Sequence, residues 1–315
     1  MKIIVTGGAG FIGSNIVDSL VEIGHDVFIF DDFSTGKKEN VNKKAKCFNL
    51  DINSLEVQSL LVKLQPDVLI HHAAQVSVAH SIKDPLYDQN LNIRGTVNLL
   101  EGCSRAGVGK FIYASSAAVY GDPIHLPINE SHSKEPTSFY GLSKYVPETY
   151  IKLYSDISDL DYSILRYANV YGPRQDPLGE GGVISIFMNK IINDETLTIH
   201  GDGNQTRDFI FVKDIVSANL AALHNGSKKI MNISTNDKVT LNRLVEIMSE
   251  FTERPLKVNY GEKRKGDIKD SWLDNSLAKK ELLWKPMYSL EEGLKLTFDY
   301  YMQTEEIVNT RGIFR

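Results

Sequence analysis

Apolar residues in the first half of the chain follow two alternating patterns. Short runs rich in β-branched and aromatic residues are separated by longer stretches in which apolar residues recur every three or four positions. The longer stretches, such as residues 12–23 and 91–103, have the spacing of crossover helices. This alternation predicts an α/β fold with a doubly wound parallel sheet. The predicted strands are residues 2–5, 26–30, 67–70, 110–113 and 161–165.

The pattern loosens after about residue 171, where glycine, proline and short elements dominate. A strand-like run at residues 208–212 and the helical spacing after Asp214 then return to the earlier pattern. We therefore predict a first domain of residues 1–170 together with about 208–235. A smaller C-terminal α/β domain would comprise residues 171–207 and 236–315.

Composition narrows the class of protein. A chain of 315 residues that is 42% hydrophobic can bury a large core without disulfides or structural metal. Its 35 basic and 40 acidic residues give a net charge of −5 with no block of like charge, so nucleic acid is not an expected partner. Met1 leads directly into a strand, and no uncharged window reaches the roughly 18 residues of a membrane span. We expect a soluble, cytoplasmic protein without a membrane partner, in which Cys47 and Cys103 are free, packed thiols rather than metal ligands.

A glycine-rich segment at residues 6–13 directly follows the first predicted strand and opens the first helix. Gly7, Gly10 and Gly13 allow a tight turn and let a pyrophosphate approach the backbone N–H groups at the helix N-terminus. Asp31 ends the second strand 18 residues after Gly13, close to the roughly 20 expected for a carboxylate that binds a ribose 2′-hydroxyl. That carboxylate would repel a 2′-phosphate. The segment therefore predicts a dinucleotide site that favours NAD over NADP.

Tyr140 and Lys144 are four residues apart and lie on one face of a predicted helix. A nearby cation favours the phenolate form, whose usual pKa of about 10 would otherwise keep Tyr140 protonated at neutral pH. We expect Lys144 and a positively charged nicotinamide ring to lower that pKa together. Ser116 follows the strand at residues 110–113 and can hydrogen-bond a substrate oxygen. The three residues predict one catalytic site.

With these motifs the chain resembles the extended short-chain dehydrogenase/reductase family, and most closely its UDP-hexose 4-epimerases. The family has a Rossmann-like fold, which agrees with the predicted sheet. The similar segments are residues 6–13, 31–32, 51–52, 72–75, 92, 115–121, 140–144, 166–173, 206–208 and 264–267.

The resemblance implies a set of NAD contacts. The glycine segment would hold the pyrophosphate, Asp31 the adenosine ribose, Asp51 and Ile52 the adenine, and Lys144 the nicotinamide ribose. The implied cofactor-binding residues are Gly7, Gly10, Phe11, Ile12, Gly13, Asp31, Asp32, Asp51, Ile52, Ala73, Ala74, Asn92, Tyr140, Lys144 and Tyr167.

The resemblance also implies a UDP-sugar site. Thr198 and His200 would hold the uracil, and Arg207, Arg264 and Asp267 the diphosphate and uridine ribose. The implied substrate-binding residues are Ser116, Tyr140, Asn169, Val183, Thr198, His200, Arg207, Arg264, Asp267 and Ser271.

Like those epimerases, the protein would oxidise the sugar at C4 to a ketone and return the hydride to the opposite face. A homodimer is expected through the helix at 91–103 and the helix that carries Tyr140.

Two positions depart from the pattern. Pro147 lies three residues after Lys144, where it removes a backbone hydrogen bond and predicts a kink in the catalytic helix. Ser271 stands where epimerases restricted to plain hexoses have a bulky tyrosine. A serine there would leave room for an acetamido group, so UDP-N-acetylglucosamine is predicted as a substrate beside UDP-glucose and UDP-galactose.

Other activities of the same family stay open. A sugar-nucleotide 4,6-dehydratase has the same Tyr-Lys pair but needs an Asp-Glu pair where this chain has Ala117 and Ala118. A decarboxylase or uronate epimerase would need a carboxylate clamp, for which Arg174 is the one candidate in residues 170–182. A non-catalytic NAD-binding sensor would be expected to lose one of Ser116, Tyr140 and Lys144. His71 and His72 are interpreted as packed or capping residues without a chemical role.

Overall fold

The computed structural model describes residues 1–177, 182–252, 255–263 and 268–312, with side chains of the last helix described up to residue 303. Its main feature is a seven-stranded parallel sheet with the strand order β11-β6-β5-β4-β1-β2-β3. In chain order the strands are β1 Lys2–Thr6, β2 Asp26–Asp31, β3 Lys46–Asn49, β4 Val68–His71, β5 Lys110–Ser116, β6 Asp161–Tyr167, β7 Asn169–Tyr171, β8 Leu197–His200, β9 Thr206–Arg207, β10 Phe209–Phe211, β11 Lys229–Ile233, β12 Val239–Thr240, β13 Val258–Gly261 and β14 Asp270–Ser271.

Helices connect most of these strands. The α-helices are α1 Phe11–Glu22, α2 Glu56–Leu64, α3 Val78–Lys83, α4 Pro85–Gln89, α5 Gly95–Ala106, α6 Phe139–Ile157, α7 Val183–Ile192, α8 Val212–Ala222, α9 Leu241–Glu250, α10 Ser276–Glu281 and α11 Leu290–Gly312. A π-helical turn at Asn90–Arg94 joins α4 to α5, and 3₁₀ turns occur at Lys38–Asn40 and Ala117–Val119. Single π-helical turns are rare and occur frequently at functional sites.

The predicted parallel sheet is confirmed, and each of the five predicted strands is present. The observed strands β1, β2, β4, β5 and β6 extend one to three residues further at their carboxyl ends than the apolar runs do, because polar residues there still pair with a neighbouring strand. Strands β3 and β11 were not predicted. The residues of β3 are mostly exposed, so this edge strand lacks the apolar run of a buried parallel strand.

Alternate residues of the buried strands face opposite sides of the sheet. Ile3 and Val5 belong to one apolar core, which includes residues of α1 and α8. Ile4 and Phe28 belong to a second core, which includes residues of α2 and α5. Burial on both faces explains why the strands consist of continuous apolar runs.

The second half of the chain returns to the first sheet before it leaves again. α8 packs against α1, and β11 pairs with β6 in the seven-stranded sheet. The remaining short strands form small separate sheets, and a third apolar core includes residues of α7, α9 and α11. The strand-like run at 208–212 is observed as β10, but β10 pairs with β7 rather than with the large sheet.

The structure also bears on the predictions for Pro147 and for the two cysteines. Helix α6 continues through the buried Pro147 to Ile157, so the proline does not end the helix, and the kink stays a prediction. Cys103 is buried and free, as predicted, whereas the prediction of packing was wrong for Cys47, which is free but exposed on β3. Along the described residues we find no helix with the length and apolar character to cross a membrane.

Candidate functional site

The carboxyl ends of the central strands β1 and β4 are joined by polar side chains. Thr6 Oγ1 lies 2.7 Å from His71 Nδ1 and accepts hydrogen bonds of 3.2 Å from the N–H groups of His72 and Ala73. The chain leaves the sheet on opposite sides of these two strands, which is where ligands bind in doubly wound folds. The predicted glycine turn begins directly after Thr6.

The glycine turn has no room for side chains. Gly7 has a φ of +67°, and a Cβ atom there would lie 2.6 Å from the backbone nitrogen of Ala73. A Cβ atom on Gly13 would lie 2.1 Å from the carbonyl oxygen of Gly7. Gly10 precedes α1 and provides no side-chain cap, so the first N–H groups of the helix, at Phe11 and Ile12, are available to an anion. This cradle fits the pyrophosphate of a dinucleotide.

Asp31 connects the end of β2 to the glycine turn. Its carboxylate accepts hydrogen bonds of 2.9 Å from the backbone N–H groups of Ala9 and Phe33. Burial raises the pKa of Asp31, and these two hydrogen bonds oppose the rise. Each carboxylate oxygen has a second lone pair, so the group fits a ribose hydroxyl as well. The neighbouring Asp32 is exposed and accepts hydrogen bonds from Ser34.

Other predicted cofactor residues follow β3 and β4. Asp51 is exposed, whereas the side chain of Ile52 is buried in the second core. Ala73 and Ala74 are half-buried in the segment after β4. Asn92 is buried in the π-helical turn, where its side chain bonds the backbone N–H of Gln75 at 2.8 Å and Ser143 Oγ at 2.9 Å. It therefore fastens residues 72–75, here called the cleft segment, to helix α6.

The three predicted catalytic residues come together at the end of β5. Ser138 caps the N-terminus of α6 by accepting a hydrogen bond of 3.0 Å from the backbone N–H of Gly141, which places Tyr140 in the first turn. Ser116 ends β5 and makes a side-chain hydrogen bond with Tyr140. One turn along α6, Lys144 is 5% exposed, with Nζ 4.8 Å from the ring centroid of Tyr113.

The charges of Tyr140 and Lys144 are controlled by burial. Burial raises the pKa of Tyr140, and the hydrogen bond with Ser116 partly opposes that rise. Burial lowers the pKa of Lys144 to about 8, while the carboxylates of Asp88 and Glu148 raise it. The groups of the protein alone therefore do not produce the predicted lowering of the Tyr140 pKa. At neutral pH Tyr140 is therefore an uncharged phenol, whereas Lys144 has a pKa close to physiological pH.

Tyr167 is held by two side chains that the sequence did not connect with it. Its hydroxyl lies 3.0 Å from His72 Nε2 and accepts a hydrogen bond of 2.8 Å from Asn219 Nδ2. Burial lowers the pKa of His72 to about 3, which keeps its ring uncharged. His71 is bonded to Thr6 and to Thr96, so both histidines are hydrogen-bonded structural groups.

A buried ion pair attaches helix α6 to strand β6. Arg166 on β6 donates to both carboxylate oxygens of Glu148 on α6, and Ser115 Oγ donates to the same carboxylate at 2.7 Å. Arg166 also donates to the hydroxyl of Tyr120 at 2.9 Å. The sequence analysis missed this network. The available signal was the spacing of Glu148, four residues after Lys144 on the same helix.

The predicted substrate residues lie in several elements of the second half. Strands β14 and β9 pair in parallel, which places Ser271 opposite Arg207. Thr198 and His200 lie on β8 in a separate two-stranded sheet, and Val183 begins α7. Asn169 on β7 is exposed and donates to the carbonyl of Asp208 at 3.1 Å. Arg264 and Asp267 lie outside the described residues.

Comparison with known proteins gives a consistent result. Residues 3–234 match the model of the NAD dependent epimerase/dehydratase family. A putative UDP-glucose 4-epimerase of Methanocaldococcus jannaschii is 46% identical over 294 residues, which are 93% of this chain and 96% of that protein.

Solved structures agree with the sequence comparison. UDP-glucose 4-epimerase of Thermotoga maritima, solved with UDP-glucose, is 43% identical with a TM-score of 0.95, covering 96% of this chain and 99% of the other. UDP-N-acetylglucosamine 4-epimerase of Methanobrevibacter ruminantium M1, solved with UDP-N-acetylmuramic acid, is 36% identical with a TM-score of 0.92, covering 96% and 98%.

Proposed function

The chain belongs to the NAD dependent epimerase/dehydratase family, and on that premise we propose that it is an isomerase that inverts UDP-hexoses at C4. The observation that carries the proposal is the convergence of Ser116, Tyr140 and Lys144 at the carboxyl end of β5, in the sheet whose strand β1 leads into the glycine cradle. Such a site has an acid-base group, a hydrogen-bond donor and a cation around one position for a reacting oxygen.

The residues that would hold NAD are the cradle Gly7, Gly10 and Gly13, with Asp31 for the adenosine ribose. NAD held there would supply reversible hydride transfer to and from C4 of the sugar. Tyr140 would take the proton of the 4-hydroxyl and give a proton back to the 4-keto oxygen. Ser116 would donate a hydrogen bond to that oxygen, and the charge of Lys144 would stabilise the phenolate form of Tyr140.

The UDP part of the substrate would be bound by residues outside the large sheet. We assign the uracil to Thr198 and His200 and the diphosphate to Arg207, whose guanidinium suits phosphate oxygens. Asn169 and Val183 would line the same cleft. The predicted contacts of Arg264 and Asp267 remain part of the proposal.

We further propose that both plain and N-acetylated UDP-hexoses are substrates. Ser271 stands opposite Arg207 in the β14–β9 pair, so a small side chain lies beside the proposed diphosphate group. The similarity to a UDP-N-acetylglucosamine 4-epimerase supports this wider substrate range.

The proposed assembly is a homodimer. Helix α6 carries a row of exposed apolar side chains at helical spacing, formed by Phe139, Leu142, Tyr150, Leu153 and Ile157. A row of this kind is typical of a face that packs against another helix. We also propose a cytoplasmic location, where the free thiols of Cys47 and Cys103 would stay reduced.

The function is tested with the purified protein and no added NAD. UDP-galactose and UDP-N-acetylgalactosamine are supplied separately, and the 4-epimers are separated and quantified. Product from either shows that the cofactor is bound and that the reaction is an epimerisation. Ala117 and Ala118, in the 3₁₀ turn after Ser116, supply no acid or base for eliminating water, so no 4-keto-6-deoxy product is expected.

Tyr140→Phe separates an enzyme from a binding protein. The variant should retain its dinucleotide and lose about 10²-fold or more of turnover, because general acid-base catalysis contributes that much. Tyr150→Phe is the control, since Tyr150 is exposed on the same helix. Unchanged turnover in Tyr140→Phe would contradict the proposed mechanism, and a protein empty of dinucleotide would contradict the cofactor assignment.

A further inference from the structure

Asp88 is a buried carboxylate beside the site that the proposed mechanism does not use. It lies in α4, just before the π-helical turn, and is 1% exposed. Its Oδ1 accepts hydrogen bonds from Gln75 Nε2 at 2.6 Å and from Asn92 Nδ2 at 3.3 Å. Its Oδ2 is buried and has no hydrogen-bond partner among the described residues.

Both side-chain partners of Asp88 are hydrogen-bond donors. Gln75 and Asn92 both present N–H groups to Oδ1, and each uses its own oxygen elsewhere, Gln75 for the backbone N–H of Ser77 and Asn92 for the backbone N–H of Gln75. Neither side chain therefore offers Asp88 an acceptor for a carboxyl proton. A buried carboxylate that bears a charge needs a nearby positive charge to offset its desolvation.

One basic group is suited to balance that charge. The titratable groups around the site are Tyr140, Lys144 and Glu148 on α6, Tyr113 on β5, His71 at the end of β4, His72 directly after it, and Arg166 and Tyr167 on β6.

Burial lowers the pKa of both His71 and His72, so these rings are neutral, and Arg166 is paired with Glu148. Lys144 remains. Asn92 Nδ2 donates to Asp88 Oδ1 at 3.3 Å and to Ser143 Oγ at 2.9 Å, which connects Asp88 to the residue directly before Lys144 on α6. Asp88 and Lys144 also interact electrostatically.

We propose that Asp88 is a positioning residue whose buried carboxylate holds Lys144 cationic and thereby sets the pH range in which the Tyr140–Lys144 pair works. The inference rests on the proposed function. A negative charge raises the pKa of every nearby group, and Asp88 does so for both Lys144 and Tyr140. It therefore preserves the ammonium at neutral pH and delays ionisation of the phenol.

Removal of the Asp88 carboxylate should lower the pKa of both Tyr140 and Lys144. Tyr140 then ionises at lower pH, and Lys144 loses its charge at lower pH. The acid and alkaline limbs of the pH-rate profile should both move to lower pH. The expected shift is about one pH unit, because a single charge at close range changes a pKa by about that much.

Asp88→Asn tests the proposal in the full-length protein with its retained dinucleotide. We expect both limbs of the kcat/KM profile to shift together to lower pH. Asp84→Asn is the matched control, because Asp84 is an exposed carboxylate that caps the same helix and its variant should leave the profile in place. A structural defect alone would lower activity at every pH without moving the limbs, and that result would overturn the proposal.

A second measurement does not depend on turnover. The near-ultraviolet absorbance of the Tyr140 phenolate is obtained as the difference between a protein and its Tyr140→Phe derivative during a pH titration. Asp88→Asn should move this titration to lower pH by about one unit. An unmoved titration would overturn the proposal, whereas a moved titration in a protein without epimerase activity would preserve it and reject the proposed function.

A second variant that removes the charge of Asp88 separates the effect of the charge from a folding defect. If Asp88→Asn is unstable, Asp88→Ser removes the same charge and keeps an oxygen acceptor for Gln75 and Asn92. The two variants should shift the Tyr140 titration in the same direction, and opposite shifts would contradict a role for the charge.

Discussion

At the scale of single residues, the site depends on side chains that hydrogen-bond across two elements. Thr6 joins the ends of β1 and β4, Asn92 joins the cleft segment to α6, and Asp31 joins β2 to the glycine turn. These groups are buried or half-buried, and their bonds leave few alternative positions for the backbone around the cofactor cleft.

Ser271→Tyr tests substrate size at the residue scale. A bulky side chain opposite Arg207 should exclude an acetamido group, so the rate with UDP-N-acetylgalactosamine should fall about tenfold or more, while UDP-galactose is unaffected. The measurement is kcat/KM for both substrates in each variant. Ser276→Tyr, at an exposed position, is the control. An unchanged acetamido rate in Ser271→Tyr would remove Ser271 as a size determinant.

At the scale of elements, α6 is the critical part because it carries Tyr140 and Lys144 and contains Pro147. Proline removes one backbone hydrogen bond of the helix. The next residue, Glu148, is held by Arg166 and Ser115 on the neighbouring strands β6 and β5. The helix is thus attached to the sheet directly after its weakest point, which keeps Lys144 in place.

Breaking the Glu148–Arg166 pair should destabilise the protein strongly. Arg166→Met leaves a buried carboxylate without its cation and should lower the free energy of unfolding by about 3–5 kcal/mol. The double variant Glu148→Leu/Arg166→Met should recover most of that loss, because no buried charge remains. Urea-induced unfolding measures both variants.

The exposed pair Lys295–Asp299 is the matched control for the buried pair. Lys295→Met should change the stability by less than about 1 kcal/mol, because water screens that pair. If Arg166→Met were as stable as Lys295→Met, the buried network would not anchor α6.

At the scale of the whole molecule, the two halves of the chain contribute different parts of the proposed site. The first half of the chain provides the cradle and the proposed catalytic residues, and the second half provides the proposed UDP contacts. Because β11 joins the large sheet between those contacts, the two parts are linked by several chain crossings.

The proposed dimer is tested through the exposed row on α6. Leu153→Glu places a charge in that row and should yield a monomer in sedimentation velocity experiments, because burying an unpaired carboxylate opposes association. Leu55→Glu, at an exposed position outside the row, should leave the assembly unchanged. A wild-type protein that sediments as a monomer, or a Leu153→Glu variant that remains a dimer, would reject this interface.

The sequence by itself determined the features that depend on short-range spacing. The glycine cradle follows from residues 6–13, and the shared helix face of Tyr140 and Lys144 follows from their separation of one turn. The parallel sheet follows from alternating apolar patterns, since burial on both faces requires continuous apolar strands.

Only the tertiary structure decided which distant residues meet. Chain folding brings Glu148 into contact with Arg166, and Tyr167 into contact with His72 and Asn219, and it brings Asp88 within electrostatic range of Lys144. No local spacing in the sequence encodes these long-range pairs. Burial is likewise a property of the assembled molecule. It raises the pKa of Tyr140 and lowers that of Lys144, so the charge of the site depends on its enclosure and on Asp88 rather than on the Tyr-Lys spacing alone.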